Sequence, residues 1–371
     1  MTTELSPDRT GPPHALELEA TLAAITAGAA ARDADPARAF PAQPFTLLRG
    51  AGALAFNAAA GPLRPPARDE LSLVRRVAAA DASVGRILDG HLNAVERLAV
   101  HAPAALRDTE LAAVRAGRLL AGVWGGNPIG DEGPPASIAA AGDGEVLWGV
   151  KTFCSGAGGL ERAAVLARQR GADDSPPVLV WVDLTDPRHV EIDRSWYRAA
   201  GLTCSESHRV VFHDAPVLAR LGPPGAISHQ PWFGRDALRT AASWAGIADA
   251  AVRAGLAELG GTDPTELEAL AAGRMLTARE TIEVWLTAAA TAMDGPADGL
   301  ADVALHGRAA IAQACRTILD EAARACGSRP FARGGELDRA HRDLALFLLQ
   351  HRLDPMLARA GRTALTAGEP R

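Results

Sequence analysis

Lys151, Thr152, Phe153, Cys154 and Ser155 end an apolar run and lead directly into a turn containing Gly156, Gly158 and Gly159. Their types suit contact with a flat polar ligand. A serine hydroxyl both donates and accepts hydrogen bonds, and an aromatic face such as that of Phe153 packs against a planar ring. Glycine lets backbone approach where a β-carbon would clash. The same residues also fit a glycine-rich hairpin that holds nothing, since such loops commonly contain glycine. Three other residues could move protons. His91 lies among Leu88, Leu92 and Val95, which fits either a core histidine with satisfied nitrogens or an acid/base group. His351 follows Leu344, Phe347 and Leu348 at helical spacing, so it falls on the apolar face of a helix predicted over 337–353, with Asp354 three residues beyond it. Asp236 opens another predicted helix, where the dipole favours a carboxylate whether or not it does chemistry.

These residues need elements to hold them. Apolar periodicity predicts helices over 14–32, 45–52 and 70–100, with Pro36, Pro41 and Pro44 separating the first two and a loop over 57–66. Short β-rich runs follow at 120–123, 145–150, 163–167, 178–184, 190–192 and 208–212. Their spacing near ten residues points to a small antiparallel barrel or sandwich. From residue 231 onward the chain turns helical again, over 236–259, 264–293, 298–326 and 337–353, as in an up-and-down four-helix bundle. Thr262 or Asp263 is the expected N-cap of the second of these, with Pro264 at its first position. The fold class expected is therefore α+β, in three domains: helical over 1–117, β over 118–228 and a helical bundle over 229–371.

The chain has 371 residues, 48% of them hydrophobic and 22% charged, with a formal net charge of −6. An acidic balance argues against nucleic acid as a partner. No uncharged apolar run reaches the length of a membrane span. The N-terminus has neither a basic start nor an apolar segment of the secretory kind. Cys154, Cys204, Cys315 and Cys326 are widely spaced, so neither a metal site nor a disulfide framework is expected, and a cytoplasmic location follows.

Residues 147–168 resemble the middle β-domain of the acyl-CoA dehydrogenase superfamily, whose pattern there reads roughly G-x-K-x-[WF]-[IC]-[TS]-[NG]-[GA] before a strand ending Ala-Arg. Lys151, Phe153, Ser155, Gly156, Ala167 and Arg168 are in register. Residues 201–217, GLTCSESHRVVFHDAPV, resemble a second signature of that domain through Gly201, Ser205, Ser207, Val211, Phe212, Asp214 and Val217. The loop WGGNPIGD at 124–131 is similar to a drifted T-E-P-x-x-G-S-D and keeps Pro128 and Asp131. The likeness covers nearly the whole chain in the order helical, β, helical.

The resemblance implies a flavin cofactor, FAD or alternatively FMN. It places Phe153 against the isoalloxazine, Ser155 near N5 and O4, and Trp124, Asn127, Gly156 and Ser205 around it. Asn127 stands where the family offers a threonine. The activity implied first is oxidation of a CH–CH bond of an acyl thioester such as an acyl-CoA. In many members the base is a glutamate nine residues after the arginine of an Arg-Asp pair. Here the pair is Arg342-Asp343 and the position holds His351, while another position used for the base falls on Asp236. The alternative resembles the two-component monooxygenases, which take reduced flavin from a separate flavin reductase; His91, Ser155 and His351 would supply their usual set. A third reading is a non-catalytic family subunit. Members usually assemble through the C-terminal bundle, which implies a homodimer or homotetramer.

Overall fold

The computed structural model describes residues 15–58, 64–172, 175–261, 263–350 and 353–367. Five helices come first: α1 (Ala15–Asp33), α2 (Ala42–Gly50), α3 (Ala67–Ala80), α4 (Ala82–His101) and α5 (Ala104–Arg115). The single helix expected over 70–100 is two because Asp81 is extended, with φ −160° and ψ 119°. That is the backbone of a residue capping the helix that follows, a position aspartate favours. α5 has no counterpart among the predicted elements.

Seven strands follow: β1 (Ala121–Trp124), β2 (Ser137–Ala141), β3 (Gly144–Cys154), β4 (Arg162–Gln169), β5 (Val178–Asp183), β6 (Val190–Asp193) and β7 (His208–Arg220). β2, which the sequence pattern did not mark, completes the sheet. Neighbours β2–β3, β3–β7, β7–β5 and β5–β4 pair antiparallel, and a parallel β4–β2 pairing closes the ring. The β-domain is therefore a five-stranded barrel, with β1 added alongside β4 and β6 alongside β7. Closure protects strand edges that would otherwise invite pairing with other chains. One side of the barrel is covered by α4 and α5, whose Val95, Leu98, Leu111 and Val114 pack with Ala164, Leu179 and Trp181. The one polar atom on the Trp181 ring is satisfied, since its Nε1 donates to Glu110 at 3.1 Å.

The chain forms two compact units by its internal packing. One draws on residues 1–65, 83–199 and 203–232, and the other on 66–82, 200–202 and 233–371. The second contains α6 (Trp232–Leu259, from its second residue), α7 (Glu266–Asp294), α8 (Leu300–Cys326), α9 (Arg329–Arg333), α10 (Glu336–Phe347) and α11 (Asp354–Ala367), together with α3. Arg75 of α3 bridges two of these helices, reaching Asp249 at 2.6 Å and Glu283 at 2.5 Å. Two helix ends differ from expectation. Thr265, not Asp263, caps α7: its hydroxyl accepts from the Glu268 amide, and the Glu268 carboxylate accepts from the Thr265 amide at 2.7 Å. This reciprocal pair satisfies two otherwise orphaned donors. Thr262 lies outside the described residues. The helix expected over 337–353 ends at Phe347, and α11 begins anew at Asp354. Pro355, which lacks an amide hydrogen, falls in the first turn of α11, where that hydrogen would have no intrahelical partner.

Residues 200–202 are gripped within the second unit by the Arg342-Asp343 pair. Asp343 Oδ1 accepts from the Leu202 amide at 2.6 Å, and Arg342 donates to the Ala200 carbonyl. A β-carbon at Gly201 would collide with the Arg342 carbonyl. Backbone cannot move aside as a flexible side chain would, so Gly201→Ala should lower stability by about 1–3 kcal/mol. The check is a lower urea midpoint at unchanged m-value.

Candidate active site

The candidate site sits in the first unit, at the end of β3. Pairing of β3 with β7 slips register between Lys151 and Cys154. The slip coincides with Phe153, whose φ of 54° lies in the left-handed region that a bulky residue rarely adopts. Bulges of this kind re-aim side chains beside active sites. Here the result is a phenyl ring 59% exposed, standing edge-on to Trp196 with centroids 4.9 Å apart and planes at 83°. Trp196 is itself fixed, its Nε1 donating to Glu132 at 2.9 Å.

Beside this aromatic pair runs a chain of hydroxyls. Ser155 Oγ lies 2.8 Å from Ser207 Oγ, which lies 2.8 Å from Ser205 Oγ. The backbones are joined as well, because the Gly156 amide donates to the Ser205 carbonyl at 2.7 Å. The buried Trp124 props the corner from behind, donating from Nε1 to the Ser155 carbonyl at 3.1 Å.

A third group holds the loop carrying Asn127. Lys151 is fully buried and its Nζ donates to the Gly125 carbonyl at 3.2 Å and to Asn127 Oδ1 at 2.8 Å. Burial pulls its pKa down to about 8, which still leaves it charged at pH 7. Thr152 adds two bonds, from its amide to the Gly126 carbonyl and from Oγ1 to the Asn127 carbonyl. The strand and loop run so close that a β-carbon on Gly126 would meet the Thr152 carbonyl. An ammonium only donates, so it fixes which end of the Asn127 amide faces it. The NH2 end is turned the other way, on an exposed residue.

Trp124, Asn127, Phe153, Ser155, Gly156 and Ser205 are thus gathered at one end of β3. Ser207, Trp196, Lys151 and Thr152 belong with them and had no assigned role from sequence. Ser207 carried a signal, being a second hydroxyl two residues from Ser205. Trp196 carried none.

Solved structures resemble this chain along nearly its whole length. An FMN-bound dibenzothiophene monooxygenase, TdsC from Paenibacillus sp. A11-2, aligns with a TM-score of 0.77 at 18% identity, over 95% of this chain and 97% of that one. A nitrososynthase from Micromonospora carbonacea var. africana gives 0.79 at 21% identity, over 97% and 99%. This chain has the acyl-CoA dehydrogenase fold. KijD3, in complex with FMN and a dTDP-linked amino keto sugar, adopts the same acyl-CoA dehydrogenase fold with a TM-score of 0.78 at 22% identity, over 98% and 96%. No protein-family model matches the sequence, and no curated protein matches it significantly.

Within this acyl-CoA dehydrogenase fold the three proton-transfer candidates differ in kind. His91 is fully buried and both ring nitrogens are engaged: Nε2 with the Leu54 carbonyl at 2.8 Å, and Nδ1 as acceptor from the Ala121 amide at 3.1 Å. Neither is left for a substrate, so His91 ties α4 to β1. Asp236 belongs to the second unit, on α6, and accepts from Arg239 at 3.2 Å. Arg239 and Arg235 in turn both meet the buried Glu70 of α3, Arg235 at 3.2 Å. His351 lies outside the described residues. With α10 ending at Phe347 and α11 opening at Asp354, helical spacing from Leu344 no longer relates Asp354 to the apolar face of α10.

Burial holds the His91 pKa down to about 4, against 6.5 for the free side chain. Between those values the unfolded chain takes up a proton that the folded chain refuses. The His91 contribution is therefore intact above about pH 6.5 and is lost as pH falls toward 4, by on the order of 3 kcal/mol. Urea midpoints should drop over this range, and His91→Gln should flatten the drop.

Proposed function

We propose that this chain is a flavin-dependent oxygenase, using reduced flavin and O2 to oxygenate a small molecule. The observation that carries the proposal is the bulged, exposed Phe153 standing against Trp196 beside Ser155. An isoalloxazine has apolar faces and a polar edge, and this corner offers an aromatic surface next to a hydroxyl chain and an outward amide. The residues present therefore fit the group. Phe153 would lie against the ring system, Ser155 would hydrogen-bond to its polar edge, and the Asn127 NH2 would donate to a ring carbonyl. Reduced flavin, FMN or FAD, would supply the electrons that activate oxygen, and a separate flavin reductase would be the partner that delivers it. FMN bound in TdsC and in KijD3 supports this choice, as do the dibenzothiophene monooxygenase and the nitrososynthase among the structural neighbours.

The chain's own contribution would be positional. Ser155, backed by Ser207 and Ser205, can pass its hydrogen-bond polarity in either direction, because each hydroxyl both donates and accepts. Lys151 fixes the Asn127 donor before any ligand arrives, so little ordering is left to be done on binding.

A second reading, dehydrogenation of an acyl thioester such as an acyl-CoA, rests on Asp236, whose side chain keeps 16% exposure at the first turn of α6. Its Oδ1 is already engaged by Arg239 at 3.2 Å.

Two measurements test these readings. Reduced FMN or FAD, supplied by a flavin reductase in air, should support oxygen-dependent product formation from a substrate panel that includes amines, thioethers and sulfinates. Anaerobic mixing of the flavin-loaded protein with acyl-CoAs should leave the oxidised-flavin absorbance unchanged. Bleaching by an acyl-CoA that disappears in Asp236→Asn would overturn the oxygenase in favour of the dehydrogenase. Separately, Lys151→Met should weaken flavin binding by about tenfold, the loss of one charge-assisted hydrogen bond (about 1.4 kcal/mol). Fluorescence titration of the folded variant reads this directly.

A further inference from the structure

The segment between α1 and α2 and the loop after β6 line a cavity of about 360 Å³. Three arginines line it, Arg38, Arg194 and Arg198, along with Glu206 and His208. It is separate from the hydroxyl chain. Ser205 and Ser207 direct their side chains toward one another and Ser155, whereas Glu206 and His208 of the same short segment are among the residues lining the cavity.

The charges do not balance. Arg194 is paired with the Glu206 carboxylate. Arg38 is bonded to a backbone carbonyl, that of Ala199 at 2.9 Å, and Arg198 to that of Ser195 at 2.8 Å. Among the described residues, Arg38 and Arg198 thus line the cavity without a carboxylate partner, and each guanidinium has further donors to give. At the wall, His208 is only 5% exposed, and its Nδ1 has no hydrogen-bond partner among the described residues. Leaving a buried polar atom unmet is costly, and a ligand atom would meet it. Burial and the nearby Arg194 hold the His208 pKa down to about 4, so near pH 7 the ring is neutral and can donate or accept without adding charge. A forked guanidinium matches the paired oxygens of a phosphate or carboxylate. The volume is at the lower end for small-molecule sites.

We propose that this cavity binds a small metabolite through a phosphate or carboxylate group, held by Arg38 and Arg198 with a further hydrogen bond to His208 Nδ1. The site does not require flavin, so its test is made on the flavin-free full-length chain.

Isothermal titration with inorganic phosphate and with succinate should show submillimolar binding of at least one of the two. Arg198→Gln, a change at an exposed side chain, should weaken that binding about tenfold or more, with circular dichroism and melting temperature unchanged. Arg38→Gln should do the same. Saturating riboflavin should leave the anion affinity as it was. Absence of binding by both anions at millimolar concentration would overturn the proposal, as would binding that survives both substitutions. Displacement of the anion by FMN but not by riboflavin would also overturn it, because the cavity would then hold the flavin's own phosphate.

Discussion

An ammonium group taken out of water costs several kcal/mol unless its hydrogens are met, and Lys151 places one wholly inside the wall of the barrel. Its surroundings are arranged accordingly. The Gly125 carbonyl and the Asn127 side chain turn inward to accept from it, which draws residues 125–127 tightly onto β3. Thr152 then stitches the same loop from the next position along the strand. A single buried charge thereby sets the conformation of a loop some two dozen residues earlier in sequence. It also sets the direction in which that loop offers its amide donor.

The barrel supplies the other half of this arrangement. In a closed ring of five strands, β3 cannot slide to relieve a local irregularity, because both its neighbours are fixed by their own pairings. The misfit is concentrated in the bulge and leaves Phe153 in a left-handed conformation. Such conformations cost about 1–3 kcal/mol and persist where the surroundings over-determine them. Beneath Phe153, Trp124, Ser205 and Ser207 hold Ser155 and Gly156 from three directions. Aromatic face and hydroxyl are therefore both preset by groups that no ligand needs to touch. The thiol between them, that of Cys154, is buried and its pKa is pushed up, so it takes no part as a nucleophile.

Sequence reading located this corner because its signals are local: an aromatic, a hydroxyl and glycines within six residues, at the end of a run with strand character. The strands themselves were legible where β-branched residues alternate, as in β5. β2, with the sequence SIAAA, was not, since alanine has little strand preference of its own. The links that make the corner rigid were hidden by distance along the chain. Ser155 and Ser207 are 52 positions apart, and nothing local to Ser207 says which hydroxyl it will meet. The pairing of Asp236 with Arg239 is visible at i,i+3 spacing, but the sharing of Arg239 with Glu70 is long-range. The end of α10 shows a different limit. Leu344, Phe347 and Leu348 keep a helical period that says nothing about where the helix stops.

The Arg342-Asp343 grip on residues 200–202 belongs to a wider pattern, in which the backbone passes between the two units five times. α3 buries Leu71, Leu73, Val74, Val77 and Ala78 in a unit whose remaining helices lie more than 150 residues further on. Neither unit is thus a contiguous block of the gene. A single recombination event could not graft either one intact onto another protein, and a ribosome must pass α6 before α3 can meet the first of its partners.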